Sequence, residues 1–166
     1  MLGKPRDDYD LEEIITAAPL ALSLHWKDKQ LIELRTRWAK DVIESETLSD
    51  GAEQLKAALK RYIAGNPPEW PELPFYFSHL SDFQRAALDV LAQIPSGTTR
   101  TYGQLAAQVG KPKGAQAMGK AMGSNPFPIV YPCHRVIASD GKFTGFSAKD
   151  GLKMKMWLLR HEGAIL

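Results

Sequence analysis

The sequence holds one cysteine, Cys133, among 166 residues. An intrachain disulfide is therefore excluded, and so is an all-cysteine zinc site. Histidine is nearly as scarce: His25, His79, His134 and His161 are scattered without ligand spacing, so no metal is expected, and no organic cofactor is implied. Long apolar runs are missing as well. Nothing approaches the ~18–20 residues that would span a bilayer. The polar, acidic stretch from Met1 to Glu13 is unlike a signal peptide. These absences lead us to expect an intracellular chain, cytoplasmic or nuclear, with no membrane contact. What is present is ordinary for a globular protein: 44% hydrophobic and 24% charged residues.

Charge is unevenly placed. Residues 1–80 carry 10 Lys and Arg against 14 Asp and Glu, whereas residues 81–166 carry 11 against 5. The net −4 of the first half and +6 of the second suggest a basic region suited to an acidic partner. An uneven but merely solvated surface would look the same.

The chain reads as two parts of an α+β protein. The first, residues 1–78, is expected to be a small mixed scaffold. Leu20, Leu22, Leu24 and Trp26 share one parity, Lys27-Asp28-Lys29 reads as a turn, and Leu31 to Trp38 as a second strand, which together make a β-hairpin. Asp50 followed by Glu53 resembles a capping box. Leu55, Ala58, Leu59, Tyr62 and Ile63 then recur at helical spacing until Gly65 stops them. A proline-rich linker spans about residues 66–78, where Pro67, Pro68, Pro71 and Pro74 forbid a helix.

The second part, residues 79–166, reads as mainly helical. Ser81 or Asp82 caps a helix running to Ile94, and Pro95-Ser96-Gly97 follows. A short helix from Tyr102 to Val109, a tight turn and a helix of small residues from Gly114 to Met122 make a helix-turn-helix candidate. Ala115, Ala117, Gly119 and Ala121 would let that backbone approach another surface closely, although a packed core helix could use them equally. Lys111, Lys113 and Lys120 favour nucleic acid, because phosphate contacts need cations beside the reading helix.

Ser124 to Pro128 reads as a stiff turn and Ile129-Val130-Tyr131 as a short buried stretch, leading into Pro132-Cys133-His134-Arg135-Val136. A thiol acts as a nucleophile when ionised, and a neighbouring His or cation favours that form. Sequence neighbours point apart, so His134 would act through a bridging water. This also argues against a cysteine hydrolase, whose Cys and His come from distant segments. Taken alone, the Cys-His pair supports no more than a structural cysteine. Asp140-Gly141 reads as a hairpin turn, and residues 145–151 as a polar loop able to close over a ligand. The last helix is expected from Leu152 to His161, with Leu152, Met156 and Leu159 on one face and Gly163 as its cap. Glu162 sits badly against the helix dipole, which suggests a partner such as a buried His134; an exposed Glu would be only mildly unfavourable.

These residues resemble the O6-alkylguanine-DNA alkyltransferases. The likeness runs through Phe83-Gln84, Ile94-Pro95-Ser96-Gly97, Thr101-Tyr102-Gly103-Gln104-Leu105-Ala106, Asn125-Pro126, Pro132-Cys133-His134-Arg135-Val136 and Leu158-Leu159-Arg160-His161-Glu162-Gly163. It is strong over residues 81–166 and only outlined before them. The resemblance implies a monomer that binds double-stranded DNA, flips out an alkylated guanine, or an O4-alkylthymine, and moves the alkyl group to Cys133. His134 would take the thiol proton through water, Glu162 would hold His134, and Asn125 would brace the turn leading to the site. Tyr102 would touch the flipped nucleotide. Ala115, Gln116, Gly119, Met122, Lys113 and Lys120 would meet the DNA, with Arg135 on the same side. Carbonyls of Cys133 and Val136 would accept from the guanine amino group. The loop at Phe146, Ser147 and Ala148 would cover the base.

The physics is consistent with that picture. A base must leave its stack to be reached, and the thioether formed cannot be cleaved by anything in the chain, so one turnover per molecule is expected. There are two departures from the family pattern. Gln116 stands where the family has an arginine that inserts into the stack, which predicts weaker DNA binding or slower flipping. The loop from Ser147 to Asp150 is slightly longer than in some members. Alkyltransferase-like proteins that bind lesions without repairing them are the alternative, but they carry another residue at the acceptor position. Bifunctional regulators carry an extra cysteine-rich zinc domain, absent here.

Overall fold

A computed structural model describes residues 7–141 and 149–166. They form two compact units, the first ending at Phe77 and the second running from Ser78 to Leu166.

The first unit is an antiparallel sheet, β1 (Leu11–Ala17), β2 (Leu20–Lys27) and β3 (Gln30–Trp38), with one helix, α1 (Asp50–Ile63). The β2–β3 hairpin turns on Asp28 and Lys29, both at positive φ (49° and 63°), which is the backbone of a two-residue turn matched to strand twist. Strand β1 was not expected. Its register sets Glu13 opposite Leu24 and Ile15 opposite Leu22, so a carboxylate falls on the core face and breaks the apolar alternation that marks a strand. Glu13 is nevertheless buried, and its carboxylate accepts from the Ser49 amide and hydroxyl, both at 2.6 Å. Ser49, not Asp50, is the N-cap of α1, its hydroxyl accepting from the Ala52 amide. The helix buries Ala52, Leu55, Ala58, Leu59 and Tyr62. Each such large apolar side chain contributes roughly 1.5–3 kcal/mol. The proline-rich stretch does more than connect: Leu31 donates to the Pro74 carbonyl and Tyr76 to that of Leu31, both at 2.9 Å, adding a short parallel edge to β3.

The second unit contains α2 (Asp82–Leu91), β4 (Arg100–Thr101), α3 (Tyr102–Gln108), α4 (Ala115–Gly123), a 3₁₀ turn at Cys133–Arg135, β5 (Val136–Ile137) and α5 (Lys149–His161). Capping boxes set the starts of α2, with Ser81 and Gln84, and α3, with Thr101 and Gln104. Helix α2 stops at Leu91, three residues short of Ile94. Helices α3 and α4 pack together across a turn containing Gly110 at φ +83°. The Asp140-Gly141 pair lies in a turn closed by the Gly141 amide on the Ala138 carbonyl. The described partner of β5 is β4, in parallel, and the return side of the expected hairpin lies outside the described residues. Helix α5 begins at Lys149, taking in three residues read as loop. Its buried residues are Met154, Lys155, Leu158 and Leu159, so the inward face is turned away from the Leu152–Met156–Leu159 line, with a lysine in it.

Candidate active site

The site is built on the segment after α4. Asn125, buried, ties that segment into a closed turn: its side-chain amide donates to the Tyr131 carbonyl, its oxygen accepts from the Phe127 amide, both at 2.9 Å, and Tyr131 donates to the Phe127 carbonyl. Within the turn Ile129 stands at φ +70°, a conformation a β-branched residue holds only when its surroundings impose it. Pro132, at φ −80° and ψ 69°, then makes an inverse γ-turn in which the Cys133 amide donates to the Tyr131 carbonyl at 2.8 Å. Proline suits that φ, and the turn delivers Cys133 to the first position of the 3₁₀ turn.

Cys133 is 4% exposed. Burial pushes its thiol above the ordinary value, while a hydrogen bond with the Asn125 side chain and the charge of Lys155 pull it back. His134 is fully buried beside it. Its Nε2 lies 2.6 Å from Glu162 Oε2. A carboxylate only accepts, so Nε2 carries the hydrogen and Nδ1 the lone pair. Nδ1 is buried with no hydrogen-bond partner among the described residues. Burial lowers the His134 pKa against the pull of Glu162, which keeps the ring neutral and Nδ1 able to take a proton.

Glu162 follows α5, where the helix dipole disfavours it, and its neighbours supply the compensation. Arg135 donates from Nε to Oε1 at 2.8 Å and from its terminal nitrogen to Oε2 at 3.1 Å. Burial alone would raise the carboxyl, but the hydrogen bonds and charges of His134 and Arg135 bring it to about 2. Arg135 also donates to the Ile94 carbonyl at 2.7 Å and is only 5% exposed. It is therefore not a DNA contact: its guanidinium is spent on Glu162 and on the end of α2. Gly97, at φ +86°, fits closely here, since a Cβ on it would meet the Glu162 carbonyl oxygen at 3.0 Å.

The helix-turn-helix presents a different surface. On α4, Ala115, Gln116, Ala117 and Lys120 are exposed and Gly119 half-buried, while Met118, Ala121 and Met122 form the inner face. Met122 is thus a core residue and cannot meet a ligand across the outer face. Lys111 and Lys113 are exposed in the preceding turn, and Tyr102 is half-buried at the start of α3. Phe146, Ser147 and Ala148 lie outside the described residues. Val136 is buried, its amide donating to the Cys133 carbonyl and its carbonyl accepting from Lys155 Nζ at 2.6 Å. Lys155 was missed in the sequence; its spacing on α5 with Leu158 and Leu159 placed it inside, but residue type argued for the surface.

Residues 82–164 match the family model for the 6-O-methylguanine DNA methyltransferase DNA-binding domain. The chain belongs to the methylated-DNA–protein-cysteine methyltransferase family. A member from Methanosarcina acetivorans is 37% identical over 142 residues, covering 83% of this chain and 81% of that protein. One from Shigella flexneri is 46% identical over 112 residues, 68% of this chain and 64% of its own length, so the match spans just under two thirds of that methyltransferase. Among solved structures, Mycobacterium tuberculosis OGT in complex with DNA superimposes with a TM-score of 0.73 at 32% identity, over 92% of each chain. Among the described residues, no helix is long and apolar enough to cross a membrane.

Proposed function

We propose that this chain repairs alkylated DNA directly, moving the alkyl group of O6-alkylguanine to Cys133 once per molecule. The carrying observation is the buried Cys133 next to a neutral His134 whose Nε2 is fixed by Glu162. The thiol proton passes through a water to His134 Nδ1. The sulfur then attacks the alkyl carbon, the S–C bond forms, the C–O6 bond breaks with its electron pair going to oxygen, and the freed guanine takes up one proton. Asn125 holds the turn that presents the sulfur.

The DNA side is the outer face of α4, where Ala115 and Gly119 allow close approach, Gln116 fills the gap left by the flipped base, and Lys111, Lys113 and Lys120 meet phosphates. That a similar protein was solved in complex with DNA supports this reading. Tyr102 contacts the flipped nucleotide, and carbonyls of Cys133 and Val136 accept from the guanine amino group. The protein works as a monomer in the compartment that holds the DNA.

The test is intact-mass measurement after incubation with a duplex carrying one O6-methylguanine, beside Cys133→Ser. One methyl mass gained by the wild type alone, and never a second, is the expected outcome. Tight lesion-selective binding with no mass gain would instead make the protein a non-repairing lesion sensor.

A further inference from the structure

Gln84 belongs to the capping box of α2, but its side chain reaches beyond the helix it starts. Its Oε1 accepts from the Ser81 amide at 2.8 Å. A backbone N–H only donates, so that end of the side chain is the oxygen and the other end is the NH2 group. The NH2 group donates to the Ser124 hydroxyl at 3.0 Å. The Ser124 hydroxyl in turn donates to the Ala121 carbonyl at 3.1 Å, in the last turn of α4. The hydrogens therefore run one way, from α2 to Ser124 and from Ser124 into α4. A capping box uses only the oxygen. The NH2 group is free for a second task, and it meets the residue at which α4 ends.

That residue stands between the two halves of the site. Before it lies α4, the helix whose outer face is turned to DNA in the repair reading. After it comes Asn125, whose side chain closes the turn leading to Cys133. We propose that Gln84 is a positioning residue for alkyl transfer: through Ser124 it holds α4 and the Asn125 turn in one arrangement, so that a base flipped at α4 meets the sulfur of Cys133. The inference rests on the repair reading and deepens it. Transfer needs the reacting atoms about 3–3.5 Å apart and aligned, and a misplacement of about 1 Å can cost on the order of 10²-fold. Loosening at residue 124 lets the DNA-binding helix shift against the thiol without unfolding either.

Gln84→Glu separates the two tasks of the side chain. A carboxylate still accepts from the Ser81 amide, and glutamate serves such a box as well as glutamine. It has no hydrogen to give Ser124, whose hydroxyl can bond it only by releasing the Ala121 carbonyl. Ser124→Ala removes the same link from the other side and leaves the box untouched. The full chain, both variants and the double variant are compared in single-turnover transfer from an O6-methylguanine duplex. At saturating duplex each single variant should transfer about three- to tenfold more slowly, with lesion affinity in gel shift unchanged. The double variant should lose no more than either single one, because both break one link. The urea midpoint of Gln84→Glu should hold, since a carboxylate suits the start of a helix. A role in capping alone would leave Gln84→Glu at the wild-type rate, and that result overturns the proposal. A second readout needs no DNA. Exchange of the Phe127 and Tyr131 amides, which close the Asn125 turn, should quicken by a similar factor in both single variants. Unchanged exchange at these amides equally overturns it. Should the wild type take up no methyl group, the repair reading fails, and the exchange rates still decide whether Gln84 holds the turn.

Discussion

Glu13 in the first unit and Glu162 in the second both have buried carboxylates, and the two are used in opposite ways. Glu13, on β1, meets only neutral donors, the amide and hydroxyl of Ser49, and fixes the start of α1. Glu162, after α5, meets a guanidinium and an imidazole. A carboxylate bonded to neutral groups can hold an element in place, but one set between an arginine and a histidine also decides which nitrogen of the ring keeps its hydrogen. The contrast separates scaffold from chemistry more sharply than the charge imbalance between the two halves.

Substitutions at these positions break the contrast most strongly. Glu162→Gln leaves Arg135 buried with its charge unmatched. It should cost about 3–5 kcal/mol in urea unfolding and abolish measurable transfer to Cys133. The same carboxyl makes stability depend on pH. Because its folded value, about 2, lies below the ordinary 4.5, its stabilisation of about 3 kcal/mol is complete above pH 4.5 and lost as pH falls towards 2. Unfolding midpoints between those limits should fall steeply in the wild type and weakly in Glu162→Gln. His134→Phe keeps the ring volume but removes Nδ1. The transfer rate should drop on the order of 10²–10⁴-fold while lesion binding in a gel-shift titration is kept. A variant that transfers at the wild-type rate would remove His134 from the proton path. Glu13→Gln should cost about 1–2 kcal/mol and leave transfer unchanged, because its bonds end at α1. The smallest effect is expected from Gln116→Arg, a few-fold gain in DNA affinity or transfer rate; no change in either would show that glutamine serves as well there.

How much of this was legible follows from the same residues. Helices α2, α3 and α4 were readable because apolar spacing, Ser81 and the turn at Gly110 agree with one another. Cys133, His134, Glu162 and Asn125 were singled out because three separate segments carry the family resemblance, and the structure brings them together. What stayed hidden involves polar side chains facing inward. Glu13 on the core side disguised β1, and with it the true cap at Ser49. Lys155 rotated the apparent face of α5. Arg135, beside the thiol in sequence, was placed with the DNA contacts through the resemblance, whereas a buried carboxylate claims it. Met122 shows the converse: the small residues around it suggested an open face, but helical periodicity turns it inward with Met118.

Gly97 carries a consequence of a different sort. It lies in the loop after α2 and has no side chain with which to touch anything, yet its backbone sits at φ +86° and a methyl group on it would meet the Glu162 carbonyl oxygen at 3.0 Å, so that the neighbouring chain would have to give by a few tenths of an ångström. In a saturation mutational scan it should therefore stand out as a sensitive position, alanine included, although it touches nothing with a side chain. A map of function by substitution would mark as sensitive a position that contributes only empty space.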